Sequence, residues 1–177
     1  MNSLSYSVRD MVLSALFAAV LCAAAPFSIA IGPVPLSLAT LVIYIAAGSL
    51  GWKYGTVSVV LYIVLGAAGL PVFSGFEGGF HKIAGVTGGF IVGYIPLALA
   101  AGLAFTISDK RIIFAVGMAA GTVLLYTCGT VWFILMTNNT LPASLVMTVL
   151  PFVPGDIAKI IAACVIVPKL RAALKRH

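Results

Sequence analysis

A chain of 177 residues that is 62% hydrophobic and 8% charged, with a mean hydropathy of +1.20, lacks the charge to coat a surface in water. Soluble domains carry roughly a quarter charged residues, so soluble enzymes and soluble binding modules are excluded and lipid is the natural solvent. The net charge of +6 sits at short junctions and in the tail (Lys169, Arg171, Lys175, Arg176) rather than along one helix face between aromatics, which excludes a nucleic-acid footprint and fits membrane orientation.

A spanning helix needs about 20 mostly apolar residues to cross a hydrocarbon core of about 30 Å. The first candidate covers residues 10–30 and stops at Ile31-Gly32-Pro33-Val34-Pro35. Its Ala-Ala-Ala-Pro end imitates a signal-peptide cleavage site, but its length and the spans behind it predict a retained helix. Two shorter segments, 36–50 and 54–70, are divided by the turn Gly51-Trp52-Lys53. Segments 86–107 and 112–136 follow, separated by Ser108-Asp109-Lys110-Arg111. After Thr137-Asn138-Asn139-Thr140, the apolar residues 141–153 are too few to span and read as a re-entrant or interfacial helix. The last span runs from about 155 to 170.

Six crossings with both termini cytoplasmic place Arg9, Lys53, Lys110, Arg111, Lys169, Arg171, Lys175 and Arg176 inside, with Lys82 alone outside and Lys159 within the last helix. That asymmetry is the positive-inside pattern. The expected fold is therefore all-α: one membrane domain over residues 1–177, a six-transmembrane-helix bundle with a long external loop between helices 3 and 4.

Three features exceed the needs of a generic bundle. Residues 66–93 hold 9 of the 18 glycines, with Phe73, Phe76 and Phe80 for apolar cover and Glu77, His81 and Lys82 for polarity. Such a loop can fold tightly over a ligand, although an ordinary flexible loop has a similar composition. Asp156 and Lys159, three apart near the start of the last helix, share one face. Ionisable groups at membrane depth are rare unless used, and a purely structural helix-capping pair is the competing explanation. Lastly, Ala15, Ala18, Ala19, Cys22 and Ala23 form a small-residue stripe containing Ala15-x-x-x-Ala19, a motif for close helix approach. The Gly51/Gly55, Gly89/Gly93 and Gly117/Gly121 pairs have the same spacing. No phosphate loop, H-E-x-x-H or G-x-S-x-G motif or carboxylate cluster is present, and Cys22, Cys128 and Cys164 have no metal-ligand spacing. Catalysis, a metal and a cofactor are not expected.

The run from Gly66 through Leu70-Pro71-Val72-Phe73-Ser74-Gly75 to Gly78-Gly79, then Gly85-Val86-Thr87-Gly88-Gly89-Phe90, resembles the BioY family, the biotin-specific S components of energy-coupling factor (ECF) transporters. Val34-Pro35-Leu36-Ser37-Leu38 and Pro154-Gly155-Asp156-x-x-Lys159 fit the family in the same order. Val86 stands where the family usually has proline, and Ala39 where glutamine is common. The resemblance implies biotin as the carried ligand and a multi-pass place in a prokaryotic plasma membrane. It also implies partnership with a transmembrane coupling subunit and two cytoplasmic ATPases, met through Ala15 and Ala19. Biotin would be bound by Asp156, Lys159, Phe73, Phe76, Glu77, His81 and Lys82. Asp156 would accept the ureido N–H groups and Lys159 donate to the ureido carbonyl; in a second pose, Lys159 meets the valerate carboxylate. An S component for another vitamin, or an intramembrane enzyme or scaffold, are the alternatives.

Overall fold

The structure, a computed structural model, describes residues 8–108 and 110–175; Asp109 of the charged junction, and Arg176 and His177 of the tail, lie outside the described residues. Among these residues seven helices and one two-stranded hairpin are present, in the order α1 (Val8–Ala24), β1 (Ser28–Ala30), β2 (Pro35–Ser37), α2 (Ala39–Ala67), α3 (Phe80–Ala84), α4 (Gly88–Ile107), α5 (Arg111–Thr137), α6 (Leu141–Thr148) and α7 (Val153–Lys175).

One short two-stranded hairpin is added to the expected all-α fold. The first helix ends at Ala24 rather than running to residue 30, because Pro26 has no N–H for the helical ladder and biases the residue before it toward extended backbone. Residues 28–30 instead pair antiparallel with 35–37, Ser28 opposite Ser37. The expected third segment stops at Ala67 instead of Leu70, where Gly69 takes a positive φ of 106°. The long loop is not wholly irregular, since it contains α3.

α2 is one run in name only. Gly51 breaks it with φ 79° and ψ 177°, a conformation that glycine alone adopts without strain. Eight residues of straight helix would separate Ala47 from Gly55 by ~12 Å, yet a Cβ placed on Gly55 would press into the backbone of Ala47. The chain therefore doubles back at Gly51, and the turn is held under α4, where Gly102 abuts Gly51 and Trp52. Both ends of α2 return to the same end of the bundle, so that Thr40 and Tyr62 approach Tyr94 of α4 from two sides.

α4 and α5 form the densest packing. Gly117 meets Ala104 and the Ala100 carbonyl, Gly121 meets Leu97, Gly93 meets Leu125 and Cys128, and Gly89 meets Trp132. The two small-residue motifs are thus the two sides of one interface, where absent side chains allow close backbone approach. Gly88–Ile107 and Arg111–Thr137 are long and apolar enough to cross a membrane, as Ala39–Ala67 is by length and composition alone, and Leu141–Thr148 with Val153–Leu174, bent by 48°, qualify together. α7 passes through Pro168 without ending there. Large aliphatic side chains such as Val123, Leu135 and Ile161 point outward, as expected of helices facing acyl chains.

Candidate binding site

The charged pair expected from the sequence lies inside the protein. Asp156, in the first turn of α7, is 4% exposed. Its Oδ1 accepts from Lys159 Nζ at 3.0 Å and from Thr40 Oγ1 at 3.2 Å, while its Oδ2 accepts from Tyr126 OH at 2.6 Å. Lys159 Nζ also donates to the Ser37 carbonyl at 2.8 Å and to Thr40 Oγ1 at 2.9 Å. An ammonium has three N–H donors, and here all three are used. Four elements converge to make this arrangement: β2, the start of α2, the middle of α5 and the first two turns of α7. A buried carboxylate without such partners would be prohibitively expensive, and with them it is a fixed charge in a low-dielectric setting.

Beside the pair lies a cavity of about 40 Å³, walled by Val34, Phe90, Tyr94, Leu125, Phe152 and the pair itself. A second, of about 30 Å³, sits under the glycine-rich loop between Tyr62, Phe73, Ser74, Lys82 and Ile91. Val34, Pro35, Phe90 and Tyr94 line both, so the two are neighbouring compartments that share a wall. Each has room for about one or two waters. On the outer side of the hairpin an apolar groove of about 540 Å³ runs between Phe27, Ile29, Leu36, Leu38 and Phe76 and reaches Lys159. Lys159 thus stands in the wall between groove and cavity.

The segment leading into the hairpin and the glycine-rich loop are fastened to each other. Gly75 N–H donates to the Pro26 carbonyl at 3.0 Å, and the Phe27 and Phe76 rings meet edge to face at 5.4 Å. Phe76 is held at φ 58°, uncommon for a bulky residue and a mark of a specialised segment. The far side of the loop is anchored by Trp132 Nε1 donating to the Gly85 carbonyl at 2.9 Å. A Cβ on Gly66 would strike the Phe73 ring, and one on Gly88 the Ile83 carbonyl, so the glycines set how closely the loop seats.

The expected site residues separate into four groups. Asp156 and Lys159 come together at the larger compartment, and Phe73 and Lys82 line the smaller one, Phe73 buried against Tyr62 at 5.6 Å between ring centroids. Phe76 lies on the outer groove. Glu77, His81 and Phe80 are exposed and line none of the three spaces; Glu77 instead pairs with Lys82 at 2.5 Å. Thr40, Tyr126, Ser37 and Tyr94 were missed by sequence reasoning. The signal for the tyrosines was available, since a phenol within an apolar span needs a polar partner. Tyr44, which meets Thr122 Oγ1 at 2.6 Å in the core, obeys the same rule.

The chain matches the BioY family model over residues 1–176. It is 34% identical to the biotin transporter BioY of Thermotoga maritima over 93% of this chain and 96% of that one. Against the probable biotin transporter BioY of Pyrococcus horikoshii it is again 34% identical, over 92% and 96%. In three dimensions it resembles the crystal structure of the S-component for biotin from an ECF-type ABC transporter, with a TM-score of 0.85, 30% identity and 97% and 95% of the two chains covered.

Proposed function

The chain belongs to the BioY family, and from that premise we propose that it captures biotin at the Asp156–Lys159 site and delivers it inward with an ATP-driven ECF module. It is a transport subunit, an S component, and not an enzyme. The observation that carries the site assignment is the buried pair itself, facing a compartment lined by Phe90, Tyr94 and Phe152. Biotin is the cargo, and no cofactor is needed.

The donor and acceptor count gives the pose. A carboxylate offers about four lone-pair sites. Oδ1 already takes two donors and Oδ2 one, so Oδ2 has room for one ureido N–H without losing a partner. The ureido carbonyl takes a Lys159 N–H in exchange for Ser37 O or Thr40 Oγ1. The thiophane ring then lies among Phe90, Phe152 and Leu125, and the valerate chain points through the shared wall toward Lys82. Because every Lys159 N–H is engaged at the head-group end, Lys82 is the better partner for the valerate carboxylate. Ligand pockets usually measure about 300–1,000 Å³, so the shared wall of Val34, Pro35, Phe90 and Tyr94 must open to join the compartments. The apolar groove beside Lys159 is the entry route.

The same reading takes the bundle to cross the membrane six times. The reversal at Gly51 divides α2 into two antiparallel halves, which with α1, α4, α5 and α7 makes six. The distribution of basic residues supports an orientation with both termini on the cytoplasmic side of a prokaryotic plasma membrane and the loop of residues 69–87 outside. Coupling fits α1, where Ser14, Ala18 and Leu21 face inward while Ala15, Ala19 and Ala23 are exposed. We assign that outward stripe to the transmembrane coupling subunit, which carries the two ATPases. Ala19→Trp should leave biotin binding intact and abolish assembly in a pull-down; lost binding would mean that the stripe packs internally.

Calorimetric titration of the detergent-solubilised protein tests the function. Tight one-to-one binding of biotin, with riboflavin and thiamine failing to compete, is the expected result. Silence with biotin from folded protein, or a response to another vitamin, would overturn the assignment.

A further inference from the structure

One side of α5 touches each part of the candidate site. Tyr126 meets Asp156, and Gly129 leaves room for the Phe90 ring, which lines both compartments. Trp132, three residues further on, reaches the glycine-rich loop. Its indole lines neither compartment, so its effect on a ligand is indirect. Trp132 Nε1 donates to the Gly85 carbonyl at 2.9 Å, and the same carbonyl accepts from the Gly88 N–H at 3.0 Å. Residues 85–88 therefore form a turn closed by one backbone bond and pinned by one side-chain bond. Thr87, the third residue, sits at φ −92° and ψ −3°, the values of a type I turn. The glycines at 85, 88 and 89 give this segment little stiffness of its own. The indole packs against it so closely that a Cβ added to Gly89 would strike Trp132. Lys82, three residues before the turn, and Thr87, within it, both line the smaller compartment, and Thr87 Oγ1 faces the Lys82 carbonyl at 3.5 Å.

We propose that Trp132 is a positioning residue for the end of the ligand held at Lys82. Its indole N–H fixes the turn of residues 85–88 and, through it, the place of Lys82 and Thr87 in the smaller compartment. This rests on the assignment of the valerate carboxylate to Lys82. Without the N–H the turn loosens and Lys82 spreads over more positions, so the carboxylate must order it on binding, and affinity falls by that cost. The ureido end, held by Asp156 and Lys159, keeps its partners.

Calorimetric titration of biotin and of biotin methyl ester into the wild type, Trp132→Phe, and Trp132→Phe with Val86→Pro is the test. Phenylalanine keeps an aromatic ring in the packing and removes the donor. It should weaken biotin about fivefold, the net worth of one hydrogen bond, and leave the ester, which offers Lys82 no charge, unchanged. Proline stiffens the same turn by other means, because it presets the second residue of a type I turn. The extended Gly85 before it, at φ −83° and ψ −173°, suits that change. Val86→Pro should therefore restore most of the lost affinity for the acid. Ester binding reports that each variant is folded; if Trp132→Phe does not fold, benzothienylalanine at position 132, the same shape without the N–H, gives the same comparison. An equal loss for acid and ester would make Trp132 a packing residue of α5 and overturn the proposal, as would no loss at all. An acid-selective loss that Val86→Pro does not lessen would refute the turn as the route. Equal affinity of the wild type for acid and ester would instead remove the Lys82 assignment, and the proposal with it.

Discussion

The described residues hold two lysine–carboxylate pairs, alike in chemistry and different in setting. Lys159 and Asp156 are 3.0 Å apart with side chains 11% and 6% exposed, and three further oxygens surround them. Lys82 and Glu77 are 2.5 Å apart with side chains 22% and 51% exposed, on the loop that closes the smaller compartment. In water an ion pair is screened and contributes about 0–1 kcal/mol, whereas breaking a buried pair strands a charge and costs on the order of 3–5 kcal/mol. The distance between charges therefore says little about which pair matters. Burial and the surrounding hydrogen bonds separate a pair able to recognise a ligand from one able to latch a loop.

The contrast is broken most directly at Asp156. Asp156→Asn keeps the shape but removes the charge and leaves Lys159 buried without its counterion. Biotin affinity should fall by more than tenfold, since losing one member of a buried charged pair costs about 2–5 kcal/mol. Wild-type affinity in a calorimetric titration would refute the role given to this residue. Tyr126→Phe comes next. It deletes the 2.6 Å bond to Oδ2 and no other side-chain bond of the cluster. A hydrogen bond to a charged group is worth about 1.5–3 kcal/mol, but the vacated lone pair becomes available to the ligand. An affinity loss of about tenfold is expected. Reduced thermal stability with unchanged affinity would instead make Tyr126 a packing residue of α5.

Asp156 and Lys159 were legible in the sequence because charges three apart in an apolar run have few other uses. Their partners were not, because Thr40 and Ser37 lie more than a hundred residues away and ordinary hydroxyls carry no spacing signal. The reversal at Gly51 was legible as a polar turn, and the close approach of α4 and α5 as spaced glycines. The hairpin was not: Ser28-Ile29-Ala30 continues the apolar composition of the first span, and only Pro26 marks the boundary. Composition recorded that the 66–93 loop was specialised without ordering its members. Phe73 and Phe76 are three residues apart, yet Phe73 is buried under Tyr62 and Phe76 is 60% exposed, a difference set by the positive φ of Gly75 and Phe76.

The smallest expected effect is the most informative about the exposed pair. If the valerate carboxylate ends at Lys82, then Glu77 occupies the place the ligand needs and competes with it. Removing that competitor by Glu77→Gln should raise biotin affinity by no more than about fivefold, the ceiling set by an exposed pair worth about 1 kcal/mol. Biotin methyl ester, which has no charge to offer Lys82, should gain nothing from the same change. Lys82→Met should weaken biotin binding and remove the difference between acid and ester. The sign of the Glu77→Gln effect decides between the two roles open to this pair. A gain for the acid alone makes Lys82 a ligand contact held in reserve by Glu77. An equal loss for acid and ester would mean that the pair only latches the loop, and the carboxylate must then be sought elsewhere, with Lys159 first in line.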